Sequence, residues 1–232
     1  MISTRIHLAK AAILCLLGLW LSAPMLAQAA DHSPPLKSKW SRVEKIAVMP
    51  FLKGGSDADK EKKLERTLDC QLMGLCYNKE DLRSGAEAIV TNIVQNGLRN
   101  LFDGKVVPLN QVRNVYGGIP QTSDKTPRQL AITLGKELMA DYVVVGLVWR
   151  YHDRVGGPYA AESPASVAFS VFIVDVRTGR LAEKAAFDKT QASLTENLFD
   201  APMFFHKGMK WLTAEELATY GAQKLLDEIF VK

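Results

Sequence analysis

Tyr142-Val143-Val144-Val145-Gly146-Leu147-Val148-Trp149 is the stretch that decides the fold. It is apolar at every position rather than at alternate ones. A strand of that kind is covered on both faces and lies centrally in its sheet. A layer of structure is therefore needed on each side. The flanking sequence supplies the material for both layers.

Upstream, Lys45-Ile46-Ala47-Val48-Met49-Pro50-Phe51 reads as a strand stopped by proline. Ser84 and Glu87 have the spacing of a capping box, after which Ile89, Val90, Ile93, Val94, Leu98 and Leu101 repeat at helical spacing. Lys105–Leu109 reads as a short strand. Asn110–Lys125, with Gly117-Gly118-Ile119-Pro120, reads as a loop holding at most a turn of helix. Thr126-Pro127-Arg128-Gln129 starts another helix, with Leu130, Leu134 and Leu138 on one stripe. Downstream, Ser166–Val176 and Leu181–Phe187 form a hairpin about Arg177–Arg180, with Glu183 and Lys184 marking the second strand as an edge. Thr213 and Glu216 open a last helix that buries Leu217, Gly221, Leu225 and Ile229. The expected fold is α/β, a mixed β-sheet flanked by helices in the order β-α-β-α-β-β-β-α.

The first 29 residues bear on compartment. Arg5 and Lys10 precede the apolar run Ala11–Leu21, and Ala27-Gln28-Ala29 gives the small-x-small pattern of a cleaved export signal. The expected organisation is residues 1–29 as signal peptide, 30–42 as a flexible Pro-rich leader, and 43–232 as one α/β domain. A charged, cysteine-containing insertion occupies 52–83. Of the three cysteines, Cys15 lies inside the apolar run. Cys70 and Cys76 form an even pair that reads as a disulfide in an oxidising compartment, with two free thiols as the alternative.

The bulk composition, 47% apolar and 23% charged over 232 residues, is that of a globular protein. The formal net charge of +4 includes two cations in the first 29 residues, which leaves no nucleic-acid footprint. Lys60, Lys62, Lys63 and Arg66 are interleaved with acids and read as a solvated helix face, an anionic-lipid or peptidoglycan contact being the alternative. His32, His152 and His206 have no metal-ligand spacing, so neither a metal nor a cofactor is expected. No nucleophile elbow, phosphate loop or dinucleotide fingerprint is present.

Two stretches stand out as contact surfaces. The first is the long polar connection Arg150–Pro164, where Tyr151, Asp153, Arg154, Tyr159 and Glu162 are candidate partner-binding residues. Mutual pairing of Asp153, Arg154 and Glu162 is the competing reading. The second is the aromatic-rich stretch with Phe204, Phe205 and Trp211, which either caps the core or meets a partner or a membrane surface.

Lys45–Phe51, the stretch Ala140-Asp141-Tyr142-Val143-Val144-Val145-Gly146, and Phe172–Arg180 with its Asp175-Val176-Arg177-Thr178-Gly179 turn together resemble the three marks of the CsgG/TolB-amino-terminal superfamily. Its members are bacterial envelope proteins, many of them lipoproteins. The resemblance implies a non-enzymatic periplasmic module that assists assembly or regulation by binding another envelope protein, with peripheral outer-membrane contact or homo-oligomer formation as further options. Residue 30 is Ala where the lipidated members carry cysteine. Neither Leu52–Arg83 nor Arg150–Pro164 offers a pair of membrane-length alternating strands. Three other readings stay open. They are an oligomeric secretion-channel-like subunit, a small-ligand-binding periplasmic domain, and a hydrolase using His152, Asp153 or Glu162.

Overall fold

The computed structural model describes residues 36–54, 82–120, 125–159, 161–191 and 210–231. The signal stretch, Cys70, Cys76, the Lys60–Arg66 cluster, Phe204 and Phe205 lie outside them. The elements are β1 (Ile46–Val48), β2 (Leu52–Lys53), α1 (Ala86–Leu101), α2 (Leu109–Gly118), α3 (Pro127–Leu138), β3 (Tyr142–His152), β4 (Val155–Gly156), β5 (Ala161–Ser163), β6 (Ser166–Asp175), β7 (Leu181–Thr190) and α4 (Ala214–Phe230).

The central strand is β3. β1 and β2 pair with it in parallel along one edge, and β6 pairs antiparallel along the other, followed by β7 at the sheet's margin. The fold is therefore α/β with a mixed sheet flanked by helices. Pro50, which has no N–H to donate, separates β1 from β2, and the register against β3 shifts by one residue across it. The next free amide, that of Phe51, donates instead to Thr91 Oγ1 on α1 at 3.0 Å.

Each face of β3 is sealed by its own helix pair. Val144 and Val148 share a core with α1 and α4 residues such as Val90, Val94, Leu217 and Leu225. Val143, Val145, Leu147 and Trp149 share the opposite core with Val112 of α2 and Leu130, Leu134 and Leu138 of α3. Gly146 is the exception in the run. A Cβ there would lie closer than 3.0 Å to the ring of Phe51, which rests directly on the strand.

Several local expectations are corrected. Ser84 does not cap α1; Gly85 does, at φ 81°, and Glu87 turns instead to Lys53 at 3.4 Å. Lys105–Leu109 contributes only a single bridge, Val106 to Ile46, because its amides and carbonyls soon turn away into α2. The stretch read as a loop is the ten-residue helix α2, whose Val112 is fully buried; Gly117 and Gly118 end that helix rather than preclude it. Part of the expected leader is fixed. Trp40 is 1% exposed, donates through Nε1 to the Ile229 carbonyl at 2.9 Å, and packs edge-on against Phe230 and Tyr142. Leu52–Lys53 and Leu82–Arg83, at the two ends of the charged insertion, are likewise drawn onto β3.

Capping boxes form at Thr126 with Gln129 and at Thr213 with Glu216, as expected. Gln191, 1% exposed at the end of β7, ties the approach to α4 by donating to the Lys210 carbonyl (3.2 Å) and accepting from the Leu212 amide (2.7 Å).

Gly146→Ala is expected to destabilise the protein by about 1–3 kcal/mol, because Phe51 must leave the strand surface to make room. In thermal unfolding followed by circular dichroism this corresponds to a fall of roughly 2–4 °C per kcal/mol. An unchanged Tm would show that the Phe51 contact is dispensable.

Candidate functional site

The candidate surface is built at the far end of β3, and one irregularity decides its geometry. Val148 pairs with Phe169 and Arg150 with Ala168, so Trp149 is an extra residue on the β3 side of the ladder. Such a bulge exchanges the faces of everything beyond it. Tyr151, which strict alternation would place with Trp149, instead joins Val148 and Val167 in the α1/α4 core and is 1% exposed. Tyr151 was expected at a contact surface; its side chain is withdrawn into the interior. Burial, followed by the nearby carboxylates of Glu215 and Asp153, pushes its phenol up to about 12, with Arg83 opposing. The group is therefore a neutral core tyrosine at physiological pH.

Asp153, two residues on, points to the same side and meets the start of α4. Its Oδ1 accepts the Ala214 N–H at 2.9 Å and its Oδ2 pairs with Arg83 Nη1 at 3.2 Å. Ala214 is the first residue of α4, where an amide has no intrahelical partner and a carboxylate also suits the positive end of the helix. Arg154 donates to the Trp211 carbonyl and, at 3.3 Å, to the Gly156 carbonyl. The expected mutual pairing of Asp153, Arg154 and Glu162 does not form. Glu162 is exposed, while Asp153 fastens the connection to the start of α4 and to Arg83, and Arg154 fastens it to the segment leading into α4. His152, the last residue of β3, is exposed.

Between these anchors the chain forms a small antiparallel hairpin, β4 with β5, pairing Val155 with Ser163 and Gly156 with Ala161. The polar connection is thus a structured projection. Its outer surface carries Val155, 49% exposed, and Tyr159, 80% exposed. A backbone bond from the Trp211 amide to the Pro158 carbonyl (2.7 Å) ties the projection to the segment leading into α4. Trp211 is partly buried, so of the second aromatic patch the described portion flanks the hairpin base.

On the other face, Arg150 bonds Ser166 Oγ through Nε (2.6 Å) and pairs with Asp188, while Ser166 Oγ meets Thr190 Oγ1 at 2.6 Å. This network was not expected from the sequence, because the bulge that turns Arg150 toward β6 and β7 leaves no local sequence mark. Among the described residues no group of three or more His, Cys, Asp or Glu side chains is placed to hold a metal ion, and no helix is long and apolar enough to cross a membrane.

No family model and no curated protein matches this chain. The likeness to the CsgG/TolB-amino-terminal superfamily rests on the three quoted motifs alone. Among solved structures, the chain is similar to the PelC dodecamer from Paraburkholderia phytofirmans, at 16% identity and a TM-score of 0.45, over 86% of this chain and 94% of that one. It is also similar to lipoprotein GNA1162 from Neisseria meningitidis (15% identity, TM-score 0.37, 71% and 97% coverage). A third is the LpoB C-terminal domain from Escherichia coli (15% identity, TM-score 0.34, 64% and 84% coverage).

Two predictions separate the anchors of the hairpin. Asp153→Ala is expected to cost about 1–2 kcal/mol in denaturant unfolding, as loss of a helix-start acceptor does. Arg83→Ala should cost less than about 1 kcal/mol, because the ion pair is solvent-exposed. Equal costs would mean that the ion pair, not the helix start, holds the hairpin. The capping carboxylate of Glu216 gives a pH test. Burial raises its pKa, but hydrogen bonds from Lys210 and the Thr213 N–H outweigh this and hold it below its ordinary 4.5. A depressed folded pKa stabilises the protein above the unfolded value, and that stability disappears as pH falls through the folded one. Stability measured from pH 6 down to pH 3 should therefore fall less steeply in Glu216→Gln than in the parent chain.

Proposed function

We propose that this chain is an exported accessory protein of the bacterial envelope, without enzymatic activity of its own, that engages another envelope protein through the β4–β5 hairpin. The observation that carries this reading is the pairing of exposure with anchorage. Val155 and Tyr159 stand in solvent on a hairpin whose base is fixed to the start of α4 by Asp153, and to the segment leading into it by Arg154 and the Trp211 amide. An exposed tyrosine on an immobilised backbone loses little conformational freedom on binding, which is why aromatic residues serve well as interface anchors.

The polar groups of the same region support binding rather than catalysis. Both Asp153 oxygens and the Arg154 guanidinium are committed to structural partners. Export rests on the charged, apolar and small-residue pattern of residues 1–29. The envelope assignment rests on the superfamily resemblance of the β1, β3 and β6–β7 motifs. Tyr159 and Val155 are the contact residues of this reading, with exposed Glu162 beside them.

A photo-crosslinking amino acid placed at Tyr159 in the full chain, expressed in its native host, is expected to capture one distinct envelope protein. The same probe at Lys224, exposed on α4 away from the hairpin, should capture none of it. Multiples of the chain's own mass at Tyr159 would replace the partner with a second copy. Equal capture at both positions would sink the hairpin as the contact site.

A further inference from the structure

A second surface lies at the opposite end of β3. Three separate turns meet there: Ser38–Arg42 before β1, the last turn of α3 with the residues after it, and the β6–β7 connection. They enclose a cleft of about 410 Å³. Arg42, Lys136 and Arg177 line it, one from each turn, and none has an ion-pair or hydrogen-bond partner among the described residues. A fourth cation, Lys39, is already paired with Glu183 at 2.9 Å. The cleft's two carboxylates are turned to the backbone. Asp141 Oδ2 accepts the N–H groups of Glu44 (2.8 Å) and Lys45 (3.0 Å), and Asp175 Oδ1 accepts that of Thr178 (2.7 Å). One oxygen of each carboxylate is thus committed to backbone N–H groups, whereas Arg42, Lys136 and Arg177 have no such partner among the described residues.

A second, independent observation sits in the same cleft. Met139 follows α3 at φ 52°, the sole non-glycine residue with positive φ among those described, and its side chain is 79% exposed. The left-handed position after a helix is ordinarily filled by glycine or asparagine, because a larger side chain is strained there. Here it holds an apolar side chain, in a conformation that costs stability, out in water beside three cations that have no partner among the described residues. Backbone strain of this kind concentrates where a site is presented for use.

We propose that this cleft binds an acidic peptide segment of a partner protein, its carboxylates taken by Arg42, Lys136 and Arg177 and an apolar side chain of the segment laid on Met139. Charge and shape fix the class of occupant. Two guanidinium groups can each donate a pair of N–H bonds to a carboxylate, and the cleft is sized for a few residues rather than for a folded domain. The surface is separate from the hairpin, lying at the other end of an 11-residue strand, and its occupancy does not depend on what Tyr159 contacts.

The test is fluorescence anisotropy with the full chain and a labelled synthetic peptide, Asp-Glu-Leu-Glu-Asp, against the same peptide with lysine in place of every acid. Binding of the acidic peptide alone, weakened by salt, is expected. The double change Arg42→Gln with Arg177→Gln should weaken it roughly tenfold, about 1.4 kcal/mol. Met139→Gly should weaken it about threefold while raising Tm, a combination that a purely structural role for Met139 does not produce. Tyr159→Ala should leave this affinity unchanged, so failure here and failure of the hairpin reading are distinguishable. Absence of acidic-peptide binding, or binding indifferent to the double change, overturns the proposal. Tighter, Arg42- and Arg177-dependent binding to phosphatidylglycerol vesicles, or competition by millimolar inorganic phosphate alone, would also overturn it in favour of a phosphate-bearing ligand.

Discussion

Removal of both faces of β3 from water is the constraint on which everything else hangs. A strand with apolar side chains on both sides gains from burial only if two layers cover it, at roughly 25 cal/mol for each Å² withdrawn from solvent. α1 and α4 form one cover and α2 and α3 the other. Close approach is arranged by small residues at chosen points. Gly146 lets Phe51 lie flat on the strand, Gly135 admits Val176 and Val143 against α3, and Gly221 admits Phe187 against α4. The parallel edge is divided by Pro50, and the amide freed there is taken up by Thr91, which in turn donates to the Glu87 carbonyl. The sheet edge and α1 are thereby locked in one register.

The same strand also organises the surface. Its bulge at Trp149 sends Tyr151 inward and Asp153 to the start of α4, and it turns Arg150 toward Ser166 and Asp188. The order of residues 150–154 therefore reads as a polar loop, while in space it is divided between a core, a helix start and a network on the other face. Hydrophobic alternation carries no mark of where a bulge will fall. That is why Asp153 and Arg154 were legible as noteworthy residues but their partners, Ala214, Arg83 and the Trp211 carbonyl, were not.

Elements with long periodic runs or strong end signals were legible: the all-apolar β3, the β6–β7 hairpin, and the helices opened by Thr126 and Thr213. Short elements supported by tertiary contact were not. α2 has one fully buried residue, Val112, and its two terminal glycines imitate a loop. Ser84 has the residue type of a cap, yet Gly85, one position later, can adopt the left-handed turn by which Leu82–Arg83 leaves β3 and enters α1, so the glycine takes the role. Trp40 lies in a Pro-rich, polar neighbourhood that gives no hint of its burial against Phe230, nearly two hundred residues away in sequence. The cleft residues Arg42, Lys136 and Arg177 are scattered over more than a hundred positions, and only the folded topology gathers them.

Gln191 has a consequence of another kind. With one amide side chain it bonds both the Lys210 carbonyl and the Leu212 N–H, so the chain departs and returns at a single buried clasp. Whatever lies between 191 and 210 begins and ends within a few ångströms of itself, and the entropy of closing such an excursion grows only slowly with its length. The position is in effect a socket. The clasp itself, rather than the length of the intervening sequence, sets where β7 ends and where the approach to α4 begins.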